Sequence, residues 1–416
     1  MAISTPSVTE LCGQAKQAAR RLAQLDRGAK DAALHAIADA LEARTGEILE
    51  ANARDMEAGR EAALTDALLD RLKLDGARVA TIAAQVRDIA ALPDPVGEVM
   101  DGQRLANGLT LRRVRVPLGV IGVVYEARPN VTIDAAALCL KSGNAIVLRG
   151  SSSAANSNDV LARTAQEASG LPEGAVTLLR GGREELAELA TQNGLVDLVI
   201  PRGGEGLKKT LEAVATVPVI YAASGNCHVY VDASADLASA EEIVFNAKTQ
   251  RPGVCNAAET LLVHVDVAKE FLPPALERLS NAGVELRLDG RARTIAGDGH
   301  AEATEEDWDT EYLAMTLAVA VVDSVEEAID HVNRHGSGHS EAIVTRDVAA
   351  ARAFQLGVDA ACVYVNASTR FTDGAEFGMG AEIGNSTQKL HARGPIGLRE
   401  LCTYKYLVEG DGHVRS

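Results

Sequence analysis

Apolar residues recur at helical spacing through the first hundred residues of the chain, with charged residues between them. This pattern predicts amphipathic helices. The predicted helices are Ala18–Leu25, Lys30–Leu41, Glu61–Leu72 and Ala77–Ile89. From about residue 118, short β-branched runs alternate with alanine-rich helical stretches. Such alternation is typical of βαβ units and therefore predicts a parallel sheet.

The alternation forms two series, separated near Ser224-Gly225. In the first, strands are predicted at Val120–Tyr125, Ala145–Leu148, Ala175–Leu179, Leu195–Ile200 and Val217–Ile220. Its helices are predicted at Ile133–Lys141, Asn158–Ala168, Arg183–Thr191 and Gly206–Val214. In the second, strands are predicted at Val229–Val231, Thr260–Val265, Leu317–Val322, Ala342–Thr345 and Ala361–Val365. Its helices are predicted at Ala238–Lys248, Val267–Leu279, Val325–Val332 and Val348–Leu356. We therefore predict two α/β domains with a boundary near residue 224.

Two further segments, Thr110–Pro117 and Leu401–Val408, alternate strictly between apolar and polar residues. This period of two predicts half-exposed antiparallel strands. The two strands could pair with each other or with another subunit.

Composition limits the class of protein. The 416 residues are 47% hydrophobic and 24% charged, and the net charge is −17. The acidic balance argues against binding to nucleic acid or to an anionic membrane surface. The N-terminus has no secretory pattern, and the longest apolar run, Leu118–Tyr125, is too short to span a bilayer. The six cysteines are scattered without a CxxC pair, which disfavours disulfides and a zinc ribbon and favours the cytoplasm.

Cys255 is the strongest candidate for a reactive residue. It lies in a predicted loop between a helix and a strand, after Pro252-Gly253 and before Asn256-Ala257. A thiol held there could be partly exposed, and nearby cations favour the nucleophilic thiolate. Taken alone, Cys255 fits a small buried hydrophobic residue better, since cysteine is often buried, and the other motifs of the chain reverse this preference.

Arginines at the ends of predicted strands or within turns indicate anionic ligands in this acidic protein. They are Arg128, Arg149, Arg202, Arg251 and Arg370. Each by itself is also explained by a surface salt bridge. The glycine-rich turn in Ile200–Leu207 precedes a predicted helix, where exposed N–H groups suit a phosphate, although an ordinary βα turn has the same composition. The GxGxxG and GxxxxGK[ST] motifs are absent, so neither the standard dinucleotide fingerprint nor a P-loop is predicted.

Asn130 directly follows a predicted strand, where a side-chain amide could donate to an oxyanion, although Pro-Asn is also common in turns. His331, His335 and His339 recur four residues apart, but glycines end the predicted helix before His339, so we expect no metal site. His228 and His264 remain loose candidates for a general base.

Taken together, the motifs resemble the aldehyde dehydrogenase superfamily and, within it, the γ-glutamyl phosphate reductase family. The matching segments are PLGVIGVVYEARPN (117–130), KSGNAIVLRG (141–150), LVIPRGGEGL (198–207), QRPGVCNAAETLLVH (250–264), TEYLAMTLAVAVVDS (310–324), HGSGHSEAIVT (335–345) and VYVNASTRFTDGAEFGMGAEIGNSTQKLHARGP (363–395). They cover nearly the whole chain. The resemblance implies two parallel-sheet α/β domains plus a small antiparallel oligomerisation element.

The resemblance also implies an organisation and an activity. Residues 1–223 would bind the cofactor, with the strand at 107–118 contributing to oligomerisation. Residues 224–390 would be catalytic, and residues 391–416 a C-terminal oligomerisation strand. The implied reaction is the NADPH-dependent reduction of L-glutamyl 5-phosphate to L-glutamate 5-semialdehyde in proline biosynthesis. The implied partners are this substrate, glutamate 5-kinase in a functional association, and further copies of the chain.

The resemblance assigns roles residue by residue. The implied catalytic residues are Cys255, as nucleophile, and Asn130, as oxyanion donor. The implied cofactor-binding residues are Arg149, Ser151, Arg202, Gly203, Gly204 and Glu311. The implied substrate-binding residues are Arg128, Arg251, Asn256 and Arg370. No metal ligand is implied.

One departure from oxidative relatives is informative. Where they carry a water-activating glutamate, the matching stretch Ile220–Gly225 has no acid. A reductase that makes and consumes a thioester needs no such base. Ser153 and Ala314 also differ from residues common in the family. An oxidative semialdehyde dehydrogenase and a catalytically silent scaffold of the same fold remain the alternatives.

Overall fold

The computed structural model describes residues 6–221, 224–297 and 299–415 of the chain. The helices are α1 (Val8–Leu22), α2 (Arg27–Ala43), α3 (Thr45–Glu61), α4 (Asp66–Leu72), α5 (Gly76–Ala91), α6 (Asn130–Lys141), α7 (Ala155–Ala168), α8 (Arg183–Leu189), α9 (Glu205–Val214), α10 (Leu237–Thr249), α11 (Val265–Asn281), α12 (Gly290–Ala296), α13 (Glu305–Trp308), α14 (Val325–His335) and α15 (Val348–Gly357). The strands are β1 (Val99–Arg104), β2 (Thr110–Pro117), β3 (Val120–Tyr125), β4 (Ala145–Gly150), β5 (Val176–Leu178), β6 (Leu198–Arg202), β7 (Cys227–Val231), β8 (Ala258–His264), β9 (Glu285–Leu288), β10 (Ala301–Glu302), β11 (Thr316–Val322), β12 (Ser340–Val344), β13 (Cys362–Val365), β14 (Asn385–Ser386), β15 (Gly394–Pro395) and β16 (Cys402–Glu409).

The chain folds into two compact units. One contains residues up to 221 together with 379–384 and 396–416, and the other contains residues 222–378 and 385–395. The division at residue 221 falls beside the predicted boundary near residue 224. The predicted C-terminal segment 391–416 is shared between the units, because the chain returns to the first unit at residue 396. The cofactor-binding, catalytic and oligomerisation roles of these segments stay predictions.

A parallel sheet organises the first unit. Its strand order is β5-β4-β3-β6, and every residue of β3 is buried. Helices α6 and α7 follow β3 and β4 as crossovers, and α1 to α5 precede the sheet. Carboxylate and hydroxyl side chains cap several helix starts, including Ser7 before α1 and Asp26 before α2, and satisfy N–H groups that have no partner within the helix.

The first unit also holds an antiparallel sheet with the order β1-β2-β16. Strand β2 pairs with β16 from Thr110 opposite Glu409 to Pro117 opposite Cys402. The structure thus selects pairing within the chain, one of the two pairings that the alternating pattern allowed. On β16, Tyr404, Tyr406 and Val408 are exposed, which leaves an apolar surface uncovered.

The second unit is built on a parallel sheet with the order β10-β9-β11-β8-β7-β12-β13. Both faces are covered, because Val229 and Val231 on β7 belong to one buried cluster and Tyr230 belongs to another. The first cluster includes residues of α10 and α11, and the second includes residues of α14 and α15. This burial on both faces explains why the strands are apolar runs without alternation.

Several predictions of elements were wrong. Helix α3 was not predicted, because its buried face includes Asn52, Asp55 and Gly59, which interrupt the helical spacing of apolar residues. The predicted helix Glu61–Leu72 is interrupted by a turn with Ala63 at φ 53°, and α4 begins after the cap Thr65. The predicted strand Val217–Ile220 forms a single bridge, from Val219 to Val199. Strands β1 and β9 were also missed.

The helices formed by the described residues include none long and apolar enough to cross a membrane.

Candidate functional site

Cys255 lies in the loop between α10 and β8, as the sequence predicted. Its side chain is partly exposed, whereas the other five cysteines, all within the described residues, are buried. The backbone turns sharply here, with the N–H of Ala257 donating to the carbonyl of Val254 at 3.0 Å. The loop thus leaves the thiol of Cys255 partly accessible in the second unit.

Asn256 anchors this loop to residues 368–372. Its buried side-chain amide donates to the carbonyls of Arg370 at 3.3 Å and Thr372 at 2.9 Å. The hydroxyl of Thr369 donates to the Asn256 carbonyl at 2.7 Å. These bonds give Asn256 a structural function, and the predicted contact of Asn256 with substrate stays a prediction.

Arg370 and Arg251 form a cationic surface near Cys255. Burial of the Arg370 guanidinium lowers its pKa, the nearby Arg251 lowers that pKa further, and the Cys255 thiol and Asp373 raise it. Arg370 Nε also donates to Gln250 Oε1 at 3.0 Å, which holds the side chain in place. Positive charge beside a thiol favours its thiolate form.

Gly225 packs directly against the loop that carries Cys255. A Cβ atom at this position would lie 1.4 Å from the Cys255 carbonyl oxygen, a distance that no side chain tolerates. The thiol of buried Cys227 donates to the same carbonyl at 3.2 Å. Gly225 and Cys227 therefore both contact the Cys255 backbone, and sequence spacing alone did not reveal these contacts.

We expect the Gly225→Ala variant to lose about 10- to 100-fold in kcat, because its methyl group would displace the Cys255 backbone by an ångström or more. Steady-state kinetics and the alkylation rate of Cys255 measure the effect. Gly253→Ala is the matched control, since a Cβ there approaches no atom more closely than 3.7 Å. Equal activity of the two variants would show that the Gly225 contact does not position the nucleophile.

Glu311 lies in the segment between α13 and β11, and its Oε1 accepts from the Gly225 N–H at 2.6 Å. The adjacent Leu313 has φ 52°, and its N–H donates to Glu259 Oε1 at 3.2 Å. Glu259 in turn forms a fully buried ion pair with Lys248 at 2.5 Å. Burial raises the pKa of Glu259 to about 7, and Lys248 opposes this shift. The buried pair thus fixes the strained turn that carries the predicted ribose ligand Glu311.

Asn130 is the first residue of α6 in the other unit, after the buried strand β3. Its Nδ2 donates to Asp134 Oδ2 at 2.9 Å, one helical turn further on. Arg128 lies in the turn before α6 with an exposed side chain, and its N–H donates to the Glu126 carbonyl at 2.6 Å. The turn directs both Arg128 and Asn130 to the carboxyl end of the parallel sheet, where ligands of such folds bind.

Arg149 is the penultimate residue of β4, before Gly150 and Ser151, and donates through Nη2 to the Gly182 carbonyl at 2.5 Å. Its Nε is buried and has no hydrogen-bond partner within the described part of the chain, and burial lowers the pKa of the guanidinium. An anion that accepts from Nε would remove this cost. The Ser151 and Ser153 hydroxyls lie 2.6 Å apart, so the residue that departs from the family pattern, Ser153, forms a neutral hydrogen-bonded pair with Ser151.

Arg202 ends β6, and Gly203-Gly204 leads into α9. The residue before α9, Gly204, has no side chain that could cap the helix, and a Cβ there would meet no atom of the described residues within 4 Å. Open backbone N–H groups at a helix N-terminus favour a phosphate. Arg202 also lowers the pKa of Asp134, which shows that this guanidinium lies near the residues of α6.

The histidines differ in environment. Burial lowers the pKa of both His228 and His331 to about 3, so both are neutral at physiological pH. His264 accepts from the Asp266 N–H at 3.1 Å and caps α11. No group of three or more His, Cys, Asp or Glu within residues 6–221, 224–297 and 299–415 is placed to hold a metal ion.

The predicted site residues are thus divided between the two units. Asn130, with the arginines and glycines after β3, β4 and β6, belongs to the first. The second holds Cys255, Arg251, Asn256, Glu311 and Arg370. Sequence reasoning missed Gly225, Cys227 and Asp134. Only the SG dipeptide at Ser224-Gly225, a turn signal, and the four-residue spacing of Asn130 and Asp134 could have indicated them.

The chain is similar to known proteins over nearly its whole length. The model of the aldehyde dehydrogenase family matches residues 2–296 and 300–406. A γ-glutamyl phosphate reductase from Thermobifida fusca is 57% identical over 412 residues, covering 98% of each chain. The protein of the same name from Kineococcus radiotolerans is 56% identical, covering 98% of this chain and 96% of that one.

The chain is also similar to solved structures. The γ-glutamyl phosphate reductase of Thermotoga maritima superimposes with a TM-score of 0.97 at 47% identity, covering 99% of this chain and 100% of that one. An acetylating aldehyde dehydrogenase from Geobacillus thermoglucosidasius superimposes with a TM-score of 0.67 at 19% identity, covering 98% and 97%, which shows a shared fold. The predicted fold class, two parallel-sheet α/β domains with a small antiparallel element, is confirmed.

Proposed function

Because the chain belongs to the aldehyde dehydrogenase family, we propose that it reduces L-glutamyl 5-phosphate to L-glutamate 5-semialdehyde and phosphate with NADPH, the second step of proline biosynthesis from glutamate. It is an oxidoreductase that acts with a nicotinamide cofactor. The observation that carries the proposal is the identity of 57%, over nearly the full length of both chains, to a γ-glutamyl phosphate reductase.

Cys255 is the nucleophile of the proposed reaction. Its thiolate attacks the carbonyl carbon of the acyl phosphate, and phosphate leaves with the electron pair of the broken C–O bond. The guanidinium groups of Arg251 and Arg370 favour the thiolate and attract the anionic substrate. The product of this step is a thioester on Cys255.

Asn130 stabilises the negative oxygen that forms at each addition to the carbonyl, and such donors typically contribute about 3–4 kcal/mol. When bound, the cofactor supplies the hydride that reduces the thioester. The thiohemiacetal on Cys255 then collapses to the aldehyde and returns the thiolate. Because Ile220–Gly225 carries no acid, water is not activated and the thioester persists until it is reduced.

We propose that the residues after β4 and β6 hold the cofactor. The start of α9, together with Arg202, Gly203 and Gly204, offers N–H groups and a positive charge to the pyrophosphate. Ser151 and Arg149 would hold the adenosine ribose, and Glu311 would accept from the nicotinamide ribose. The buried, unpartnered Nε of Arg149 fits a 2′-phosphate, which supports NADPH over NADH.

A direct assay tests the function. L-glutamyl 5-phosphate, generated in the cuvette from L-glutamate and ATP by a glutamate 5-kinase, should drive NADPH oxidation with one phosphate released per NADPH consumed. D-glutamate, which has the same charge, is the control for recognition of the α-carbon. Failure of L-glutamyl 5-phosphate to drive NADPH oxidation, together with phosphate-independent reduction of NADP⁺ by glutamate 5-semialdehyde, would contradict the reaction proposed here and favour the oxidative semialdehyde dehydrogenase.

We expect Arg149→Ala to raise the KM for NADPH by about 10- to 100-fold and to leave the KM for NADH within about twofold, since an Arg–phosphate contact contributes roughly 1.5–3 kcal/mol. Arg180→Ala is the matched control, because Arg180 is also an arginine after a strand of this sheet but is exposed and paired with Asp159. If both cofactors lose affinity equally, Arg149 does not recognise the 2′-phosphate.

The assembly and location are further proposals. The exposed apolar residues of β16 fit the expected assembly of the chain into a homo-oligomer through its antiparallel sheet. A functional association with glutamate 5-kinase is proposed because the substrate is a reactive acyl phosphate. The acidic charge and dispersed cysteines support a cytoplasmic location without nucleic-acid or membrane partners.

A further inference from the structure

Asp134 is an acid hydrogen-bonded to Asn130, the proposed oxyanion donor. It lies one turn after Asn130 on α6 and accepts from Asn130 Nδ2 through Oδ2 at 2.9 Å. Its neighbours from residue 131 to 133 and from 135 to 141 are buried, whereas Asp134 is partly accessible. The second carboxylate oxygen, Oδ1, is shielded from solvent and has no hydrogen-bond partner within the described part of the chain.

An ionised carboxylate only accepts hydrogen bonds, so it selects the rotamer of Asn130 in which Nδ2 faces Asp134. In this rotamer one N–H of the amide is used by Asp134, and the other remains to serve an oxyanion. A protonated carboxyl can donate to Asn130 Oδ1 instead, and the amide can then flip and present its oxygen. A flipped amide repels an oxyanion rather than stabilising it.

We propose that Asp134 is a positioning residue that holds the Asn130 amide with an N–H directed to the developing oxyanion. This proposal rests on the proposed function, because it requires Asn130 to act as the oxyanion donor. Asp134 itself acts through Asn130 and not on the reacting atoms.

The environment of Asp134 makes this role dependent on pH. Burial raises the pKa of Asp134 to about 6, opposed by the Asn130 hydrogen bond and by the cation of Arg202 at the end of β6. The carboxylate is therefore ionised at pH 8 and becomes protonated as the pH falls through about 6. We expect kcat/KM to decrease as the pH falls below about 6, because protonated Asp134 no longer holds the Asn130 amide.

The contribution of Asp134 to the stability of the fold changes with pH in the direction opposite to its contribution to kcat/KM. The pKa of Asp134 in the folded state is above its usual 3.8, so the stabilising form is the protonated one, fully present below pH 3.8 and lost as the pH rises through about 6. Asp134→Asn should therefore melt at a higher temperature than the parent protein at pH 8, with a smaller difference at pH 5. This comparison also shows whether the variant is folded.

A double-mutant cycle tests the positioning function. Asn130→Ala should lower kcat/KM by about 10²- to 10³-fold, as the loss of one oxyanion donor does. Asp134→Ala should lower kcat/KM by about tenfold in the parent protein and by less than about twofold in the Asn130→Ala background, because coupled residues are not additive. Dissociation constants for NADPH, measured by fluorescence, should remain within twofold in every variant.

The pH profile provides the second measurement. In Asp134→Asn the decrease of kcat/KM near pH 6 should disappear, because an amide does not titrate there. This variant should also retain a larger fraction of activity than Asp134→Ala. Asp55→Asn is the matched control, since Asp55 is a buried carboxylate of the same unit that accepts from Asn156 and Ser157. The control should retain the parent pH profile.

The results that would contradict the positioning role of Asp134 differ from those that would contradict the oxyanion role of Asn130. Full additivity of Asp134→Ala and Asn130→Ala, or a decrease of kcat/KM near pH 6 that survives in Asp134→Asn, would overturn the positioning role and favour a direct contact of Asp134 with the ammonium group of the substrate. A negligible effect of Asn130→Ala alone would instead overturn the oxyanion role on which the proposed function depends.

Discussion

Replacement of Cys255 by alanine is expected to abolish turnover, with kcat reduced by about 100-fold or more, equivalent to at least roughly 3 kcal/mol. The reason is that every covalent step of the proposed reaction passes through this thiol. The binding of NADPH should remain near that of the parent protein, because the cofactor is held by other residues. Steady-state assays and fluorescence titration measure the two quantities on the same preparation.

Cys12→Ala is the control for the loss of a thiol. Cys12 is buried in the first unit, and burial, together with the charge of Glu188, raises its pKa to about 12, so it is not a nucleophile at neutral pH. The variant should retain kcat and should still be inactivated by iodoacetamide, whereas Cys255→Ala should take up no reagent at the active loop. Residual kcat above a hundredth of the parent value in Cys255→Ala would rule out covalent catalysis by this residue.

Omission of phosphate is expected to stop the reverse reaction after one turnover. With glutamate 5-semialdehyde and NADP⁺, the enzyme should form the Cys255 thioester and release a burst of NADPH equal to the number of active sites. The thioester then persists, since the stretch Ile220–Gly225 offers no carboxylate to activate water. Addition of phosphate or arsenate should restore steady turnover.

Sulfate at the same ionic strength is the matched control, because it is an anion of similar shape but a poor acyl acceptor. Stopped-flow absorbance measures the burst, and mass spectrometry of the enzyme identifies the acyl group on the peptide that contains Cys255. Continuous turnover to free glutamate in phosphate-free buffer would show that another residue acts as a base and that the chain is a hydrolytic aldehyde dehydrogenase.

The order of elements and the location of the nucleophile loop followed from local patterns. The strand Val120–Tyr125 was predicted with the bounds that it has, because a buried parallel strand is a continuous apolar run. Cys255 was predicted in a loop between a helix and a strand because apolar periods end on both sides of it. The family, and with it the reaction, followed from the resemblance of the sequence motifs to a known family, which needs no tertiary structure.

The remaining features depend on residues that are distant in the chain. Gly225 approaches the carbonyl of Cys255 across thirty positions, and Glu311 accepts from Gly225 across 86. Neither contact leaves a local pattern, because the packing of separate loops creates it. The pairing of β2 with β16, nearly three hundred residues apart, likewise required the tertiary structure to choose between two arrangements that the same alternation allows.

The ionisation states of side chains are also decided by the tertiary structure. The four-residue spacing of Asn130 and Asp134 allows a hydrogen bond on a helix, but sequence cannot tell whether the carboxylate is solvated there. Burial of Asp134, with Arg202 nearby, decides its pKa, and this burial arises from the packing of α6 in the folded unit against β3 and β4. The residue types and their order were therefore readable from the chain, while their contacts and charge states were decided by folding, since desolvation and distance exist only in three dimensions.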